Sequence, residues 1–205
     1  MKLTWLGHSC FLVETAEGSA VLDPYAPGSV PGLSLPPLTA DLVLCSHGHR
    51  DHGYAEGVHL TGRSPTLRVT TLATFHDEHQ GALRGLNTVH ILDAEGLRLV
   101  HLGDLGHALS PDQIAALGRV DLLLIPVGGH YTIGPDTAAV LAKAIGAAIT
   151  VPMHYRGEGF GYEVIGPVEP FARRMGKVLR MDTNVLLPDR LETPVTALLR
   201  CPMKG

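Results

Sequence analysis

The run Ser46-His47-Gly48-His49-Arg50-Asp51-His52 places three imidazoles and a carboxylate within six consecutive positions. Neutral imidazole nitrogens and a carboxylate oxygen suit a borderline divalent ion such as zinc, manganese or iron. His47 and His49 stand two apart, so a locally extended backbone would project both to one side. Asp51 and His52 then need the chain to turn, which would offer them to a second position. The helical His-Glu-x-x-His spacing, with ligands one turn apart, is not present here. A solvated polar loop that merely happens to hold histidines is the plain alternative, and the density of ligand types argues against it.

The elements around this run must hold further donors. Asp41-Leu42-Val43-Leu44-Cys45 reads as a buried strand, so the His-rich run leaves a strand end, where layered α/β domains carry their chemistry. A second strand, Leu67 to Ala73, delivers Thr74-Phe75-His76-Asp77-Glu78-His79. Its His76 is a natural third nitrogen donor, with His79 as the competitor; Asp77 and Glu78 could orient an imidazole. The alternating segments 87–92 and 97–102 read as a β-hairpin about Asp93-Ala94-Glu95-Gly96, with His90 and His101 as structural residues. The hairpin ends in Gly103-Asp104-Leu105-Gly106-His107. Flanking glycines let backbone approach a crowded site, which is how Asp104 could bridge two ions; a plain turn aspartate is the alternative.

The second half has an αβαβ rhythm. A helix starts at Ser110-Pro111-Asp112 and stops at Gly118, followed by an apolar strand over 120–127. A further helix spans about 136–145, between Pro135 and Gly146. Strand 148–151 then ends in Pro152-Met153-His154-Tyr155, and a helix near 168–175 and strands at 177–181 and 195–199 complete the chain. His130 and His154 each follow a strand and precede a tyrosine, and the residues alone do not rank them. At the N-terminus, strands at 2–6 and 10–15 flank Gly7-His8-Ser9, and a third strand ends in Asp23-Pro24. The Pro/Gly-rich stretch 24–40 is a rim loop or a crossover. Gly157 to Tyr162, glycine-rich without phosphate-loop spacing, reads as a flexible flap near the site.

Composition bounds the function. A chain of 205 residues fits one domain, taken as 1–205. The net charge of −4, with no Lys/Arg cluster, argues against a nucleic-acid or anionic-membrane partner. No apolar run has the length of a membrane span and no signal-peptide pattern opens the chain. Three cysteines, with Cys10 and Cys45 in apolar strands, read as reduced thiols, so the expected compartment is the cytoplasm.

The His-x-His-x-Asp-His run after an apolar strand resembles the signature of metallo-β-lactamase-fold hydrolases. The segment Leu6-Gly7-His8-Ser9-Cys10-Phe11-Leu12-Val13-Glu14 looks like the opening of the L-ascorbate-6-phosphate-lactonase-like branch. The resemblance covers about residues 4–155. It implies a four-layer αββα sandwich of the α/β class, with two mixed sheets covered by helices on both outer faces. It further implies His47, His49 and His76 around one divalent ion, and Asp51, His52 and His154 around a second, with Asp104 between them. Zinc is the first choice for both, manganese or iron the others. Asp23 would support the metal loop, and His8 would lie beside the site. His130 or His8 would handle substrate or a proton. The implied reaction is hydrolysis by a metal-bridged hydroxide, held also by Asp51, of a small-molecule ester, lactone, amide or phosphoester. His52 and the lack of a cysteine near position 104 steer away from β-lactamases. No extra domain or basic arm points to nucleic-acid processing. An iron-dependent oxidoreductase of sulfur dioxygenase type and a non-catalytic metal-binding protein are the competing readings; homo-oligomers are compatible with all three.

Overall fold

A computed structural model describes residues 1–202. The first strands are β1 (Lys2–Gly7), β2 (Cys10–Thr15), β3 (Gly18–Leu22), β4 (Leu38–Ala40), β5 (Leu42–Leu44) and β6 (Val58–Leu60). Next come β7 (Arg68–Phe75), β8 (Leu86–Ala94), β9 (Leu97–His101), helix α1 (Pro111–Leu117), β10 (Leu122–Pro126), helix α2 (Pro135–Ile145) and β11 (Ile149–Met153). The chain closes with the short helix α3 (Glu169–Ala172), β12 (Val178–Arg180), β13 (Val185–Leu186) and β14 (Val195–Leu198).

Two mixed sheets result, in the orders β13-β1-β2-β3-β5 and β12-β14-β11-β10-β9-β8-β7, with β4 and β6 forming a small parallel pair. The period-2 alternation of the first sheet sorts its side chains onto two faces. Leu3, Trp5, Phe11, Val13, Ala20 and Leu22 enter the main core with Val89, Leu99, Leu122 and Val151. Leu6, Cys10, Leu12 and Val21 point the other way, into a second core with Tyr25, Val30, Leu33, Leu38 and Val58.

The α/β sandwich expected from the sequence is present. One layer differs from the expectation of helices on both outer faces. Helices α1, α2 and α3 pack together, with α2 against β10 of the seven-stranded sheet. The outer face of the five-stranded sheet is instead covered by residues 24–40 and the β4–β6 pair. Five prolines and two glycines between positions 24 and 37 deny that stretch a helix, so it packs its apolar side chains as a fixed loop. Strand β5 lies at the sheet edge with Leu42, Val43 and Leu44 half-buried rather than fully buried. The third helix is confined to four residues of the expected 168–175 span.

Strand direction decides where the chemistry collects. In the first sheet β3 runs parallel to β5, and β1 shares their direction because β2 is antiparallel to both β1 and β3. In the second sheet β9, β10 and β11 are parallel, and β7 shares their direction through antiparallel β8. His8, Asp23 and residues 46–52 therefore leave the C-terminal ends of β1, β3 and β5. His76, Asp104, His130 and His154 leave those of β7, β9, β10 and β11. A hydrogen bond from the His154 amide to the His8 carbonyl (3.3 Å) joins the two sheets at this end.

Candidate metal centre

The His-rich loop is held from behind by Asp23. This buried carboxylate accepts from the Ser46 amide (2.6 Å) and the Ser46 hydroxyl (2.6 Å), and lies 2.8 Å from Nδ1 of His52. The Ser46 hydroxyl is spent on Asp23, so its lone pair takes the remaining contact, with Nδ1 of His47 at 2.9 Å. The network thus keeps a proton on Nδ1 of both His47 and His52 and turns both Nε2 atoms toward the cluster, where neutral His47 offers a lone pair and His52 does so once a bound cation displaces its second proton. Turn bonds from the amides of His52 and Gly53 to the His49 carbonyl (2.9 and 2.7 Å) fold the loop back. The turn falls at 49–53, where Asp51 and His52 require one.

Those Nε2 atoms converge on Asp104. Its Oδ2 lies 3.2 Å from His52, 3.3 Å from His154, 3.4 Å from His76 and 4.0 Å from His47, each measured to Nε2. Asp104 reaches this point because Gly103 adopts φ of 57° in a tight corner. A Cβ on Gly103 would stand 2.4 Å from Asn87 Oδ1 and 2.5 Å from the Ser46 Cβ. Asn87 holds the corner, accepting from the Asp104 amide (2.9 Å) while its own amide donates to Thr74 and the Leu102 carbonyl. Gly106 lies flat against the His76 backbone, where a Cβ would be 2.2 Å from the His76 carbonyl carbon.

Three overlapping sets of ligand atoms lie within 4.8 Å of one another: His47, His49 and His76; His8, Asp51, His52 and His154; and His47, His52 and Asp104. His8 falls within the second of these groups, next to Asp51 and His154. Its Nε2 is 3.4 Å from Asp51 Oδ2, and its ring centroid is 4.2 Å from that of His154. The nitrogens His47 Nε2, His52 Nε2 and His154 Nε2, with Asp104 Oδ1, are buried and have no hydrogen-bond partner. Buried polar atoms are rarely left so. So many unpartnered N and O donors facing one point fit borderline divalent cations.

Electrostatics agrees. Burial, reinforced by His154, lowers the His8 imidazole to about 3, and burial with His52 lowers His47 to about 4. Both are therefore neutral and able to ligate at pH 7. Burial alone would raise Asp104 and lower His52, but their mutual attraction, with His154 and Asp23, reverses both: Asp104 is held well below, and His52 well above, its ordinary value. Burial likewise opposes Asp23, yet His101, His52 and Ser46 bring it down to about 2. The site is a buried anionic frame that calls for positive charge.

Other expected residues lie elsewhere. His79 is exposed, whereas its competitor His76 is buried within the cluster. His130 is exposed, with its ring edge-on to Tyr131, and is not part of the ligand sets. The expectation that it handles substrate or a proton gains no contact with the cluster, because its side chain is exposed at a turn where it adopts φ of 62°. His107 takes the Phe75 amide on Nε2 (3.3 Å) and contacts the Ala108 carbonyl through Nδ1. His101 has a structural part, spanning the Ser9 carbonyl (2.9 Å) and the Gly103 amide (3.1 Å).

Three contributors escape a reading of the sequence. Ser46 adjoins the motif, but its role needs Asp23 beside it. Asn87 carries no local signal. Tyr162 lies in the glycine-rich 157–162 segment, and its hydroxyl donates to the Ser29 carbonyl (2.6 Å) and reaches Asp51 Oδ2 (3.2 Å). That segment is tied to the 24–40 loop by the Gly161 amide on the Pro31 carbonyl (2.9 Å).

A family profile described as the β-lactamase superfamily domain matches residues 2–154. The chain is 34% identical to a UPF0173 metal-dependent hydrolase of Methanoregula boonei, across 76% of this chain and 82% of that protein. A UPF0173 metal-dependent hydrolase of Thermoplasma volcanium is 28% identical across 95% of this chain and 98% of its own. Among solved structures, a proposed Zn-dependent hydrolase from Thermotoga maritima superposes with a TM-score of 0.75 at 33% identity, covering 97% of this chain and 99% of that one.

Proposed function

This chain belongs to the metallo-β-lactamase superfamily of metal-dependent hydrolases, and from that premise we propose that it cleaves a small-molecule ester, lactone, amide or phosphoester with the help of two divalent ions. The observation that carries the reading is the convergence of His52, His154, His76 and His47 on one oxygen of Asp104, at 3.2 to 4.0 Å. One carboxylate set between two groups of imidazoles suits two cations better than one.

His47, His49 and His76 would hold the first ion, and Asp51, His52 and His154 the second, with Asp104 shared between them. When bound, such ions supply Lewis acidity, making water more acidic and polarising the acceptor oxygen of the scissile bond. The rest falls to the chain itself. Ser46 orients His47, and Asp23 orients His52, each by accepting a hydrogen bond from Nδ1–H. Neutral, buried His8 faces Asp51 at 3.4 Å and steadies that carboxylate. Tyr162 presents its hydroxyl at 3.2 Å from the same Asp51 oxygen, where it can orient substrate or hold a proton. His8 is buried and uncharged, so we assign it positioning instead of proton donation.

Zinc fits the mixed N/O donor set, and manganese and iron share it. The test is elemental analysis of protein purified without chelator, paired with turnover on a panel of esters, lactones and phosphodiesters. About two ions per chain and chelator-sensitive hydrolysis are expected. Fewer than about one ion per chain in metal-replete medium would refute the two-ion centre.

A further inference from the structure

Five of the twelve arginines have anionic partners: Arg63, Arg98, Arg119, Arg174 and Arg180 pair with Asp41, Asp93, Asp121, Asp136 and Glu169. Arg84 is different. It is half-buried, and among the described residues its guanidinium pairs with no carboxylate. It rests instead on the ring of Tyr131, with Cζ 5.7 Å from the centroid, within cation–π range.

Two separate routes tie that guanidinium to the metal centre. Along the backbone, Asp77, which follows His76, accepts from the amides of His79, Gly81, Leu83 and Arg84 at 2.7 to 3.0 Å. The loop carrying Arg84 is thereby folded onto the residue next to a candidate ligand. Through the side chains, Tyr131 meets Tyr162 edge-on at 6.1 Å, and Tyr162 meets His8 at 5.7 Å and Asp51 at 3.2 Å. Arg84, Tyr131 and Tyr162 thus form a continuous wall from solvent to the cluster, built from three different loops. The aromatic members offer flat apolar surface and two hydroxyls, of which that of Tyr162 already donates to the Ser29 carbonyl. The outer end offers a guanidinium whose donors are free of protein carboxylates.

A half-buried, unpaired guanidinium on an aromatic platform suits a planar oxyanion, which it can grip with two parallel N–H donors. The geometry points to Arg84 as the residue that binds a carboxylate or phosphate group of the substrate, away from the bond that is cleaved. The substrate class is then a small anionic ester, lactone, amide or phosphoester. This assignment rests on the hydrolase reading above.

Arg84→Gln is a clean probe, because Asp77 holds the Arg84 backbone amide and not its side chain. The zinc-loaded protein is titrated calorimetrically with the dicarboxylates malonate to adipate and, in parallel, with glycerol phosphate against glycerol. Arg84→Gln is expected to weaken the tightest of these anions about tenfold, and Arg84→Lys to restore part of the loss. The class that binds tighter to the wild type identifies carboxylate or phosphate as the source. In kinetics, the 4-nitrophenyl half-esters of the same diacids are compared with neutral esters of equal length. The anionic-to-neutral ratio of kcat/KM should fall about tenfold in Arg84→Gln. Anion binding that is absent in the wild type, or unchanged in Arg84→Gln, would overturn the assignment. If no ester is hydrolysed while anions still bind through Arg84, the hydrolase reading fails and the anion site stands.

Discussion

Asp23→Asn isolates the device that orients the metal loop. Asparagine tolerates the positive φ of 45° at this position and keeps the side-chain shape, so only hydrogen-bond polarity changes. The carboxylate now accepts from three donors, the Ser46 amide, the Ser46 hydroxyl and His52 Nδ1, at 2.6, 2.6 and 2.8 Å. An amide has one acceptor oxygen and cannot satisfy all three. With its oxygen toward the Ser46 amide, its NH₂ forces Ser46 and His52 to accept. Both imidazoles then carry their proton on Nε2 and lose the lone pair aimed at Asp104. With the amide reversed, the NH₂ meets the Ser46 N–H and one buried charge-assisted bond is lost. That loss is worth about 1.5–3 kcal/mol, or roughly 10- to 150-fold in an equilibrium constant. Zinc affinity, read by competition with a chromophoric chelator, should therefore fall by about one to two orders of magnitude. Loss of about twofold or less would show that Asp23 does not set the tautomers, and the account of the loop would be wrong.

Three further outcomes follow from particular contacts. His76→Ala should lower zinc stoichiometry by about one ion per chain while His79→Ala retains the wild-type value, because only His76 is buried in the cluster; equal losses would reverse the choice. Gly103→Ala should cost about 2–4 kcal/mol in urea denaturation, since its Cβ meets Asn87 and Ser46 at a left-handed φ, and a loss below about 0.5 kcal/mol would contradict that corner. Thr61, Ser19 and Arg63 hold Asp41 down from 3.8 to about 2, so its contribution to stability is complete above pH 3.8 and is lost as pH falls toward 2. The Tm gap between wild type and Asp41→Asn should accordingly close across that window, and a gap that widens there would have the wrong sign.

Much of the centre is legible locally because metal ligation demands particular side chains and the fold presents them just after strands. His47, His49, Asp51 and His52 announce themselves by density, and Asp104 by its glycine neighbours. Apolar runs and turn residues likewise mark the meander, the β8–β9 hairpin and the strand–helix alternation that follows. The capping box at Ser110 opens α1, and the left-handed Gly146 closes α2, where the residues say they should.

What sequence spacing cannot convey is which strand ends meet. His8 and His154 are separated by most of the chain, yet they touch because two sheets point their C-terminal edges the same way. Choosing His76 over His79 is a matter of burial, decided by how Asp77 folds the loop between them. Asp23 and Ser46 become an orienting pair only when β3 and β5 lie side by side, and Asn87 acts only once the hairpin brings it under Gly103. His130 shows the converse: its Gly-Gly-His-Tyr setting looks as chemical as that of His154, but the turn carries it into solvent. Ligand type is a local property of a residue, whereas coordination depends on packing between distant segments.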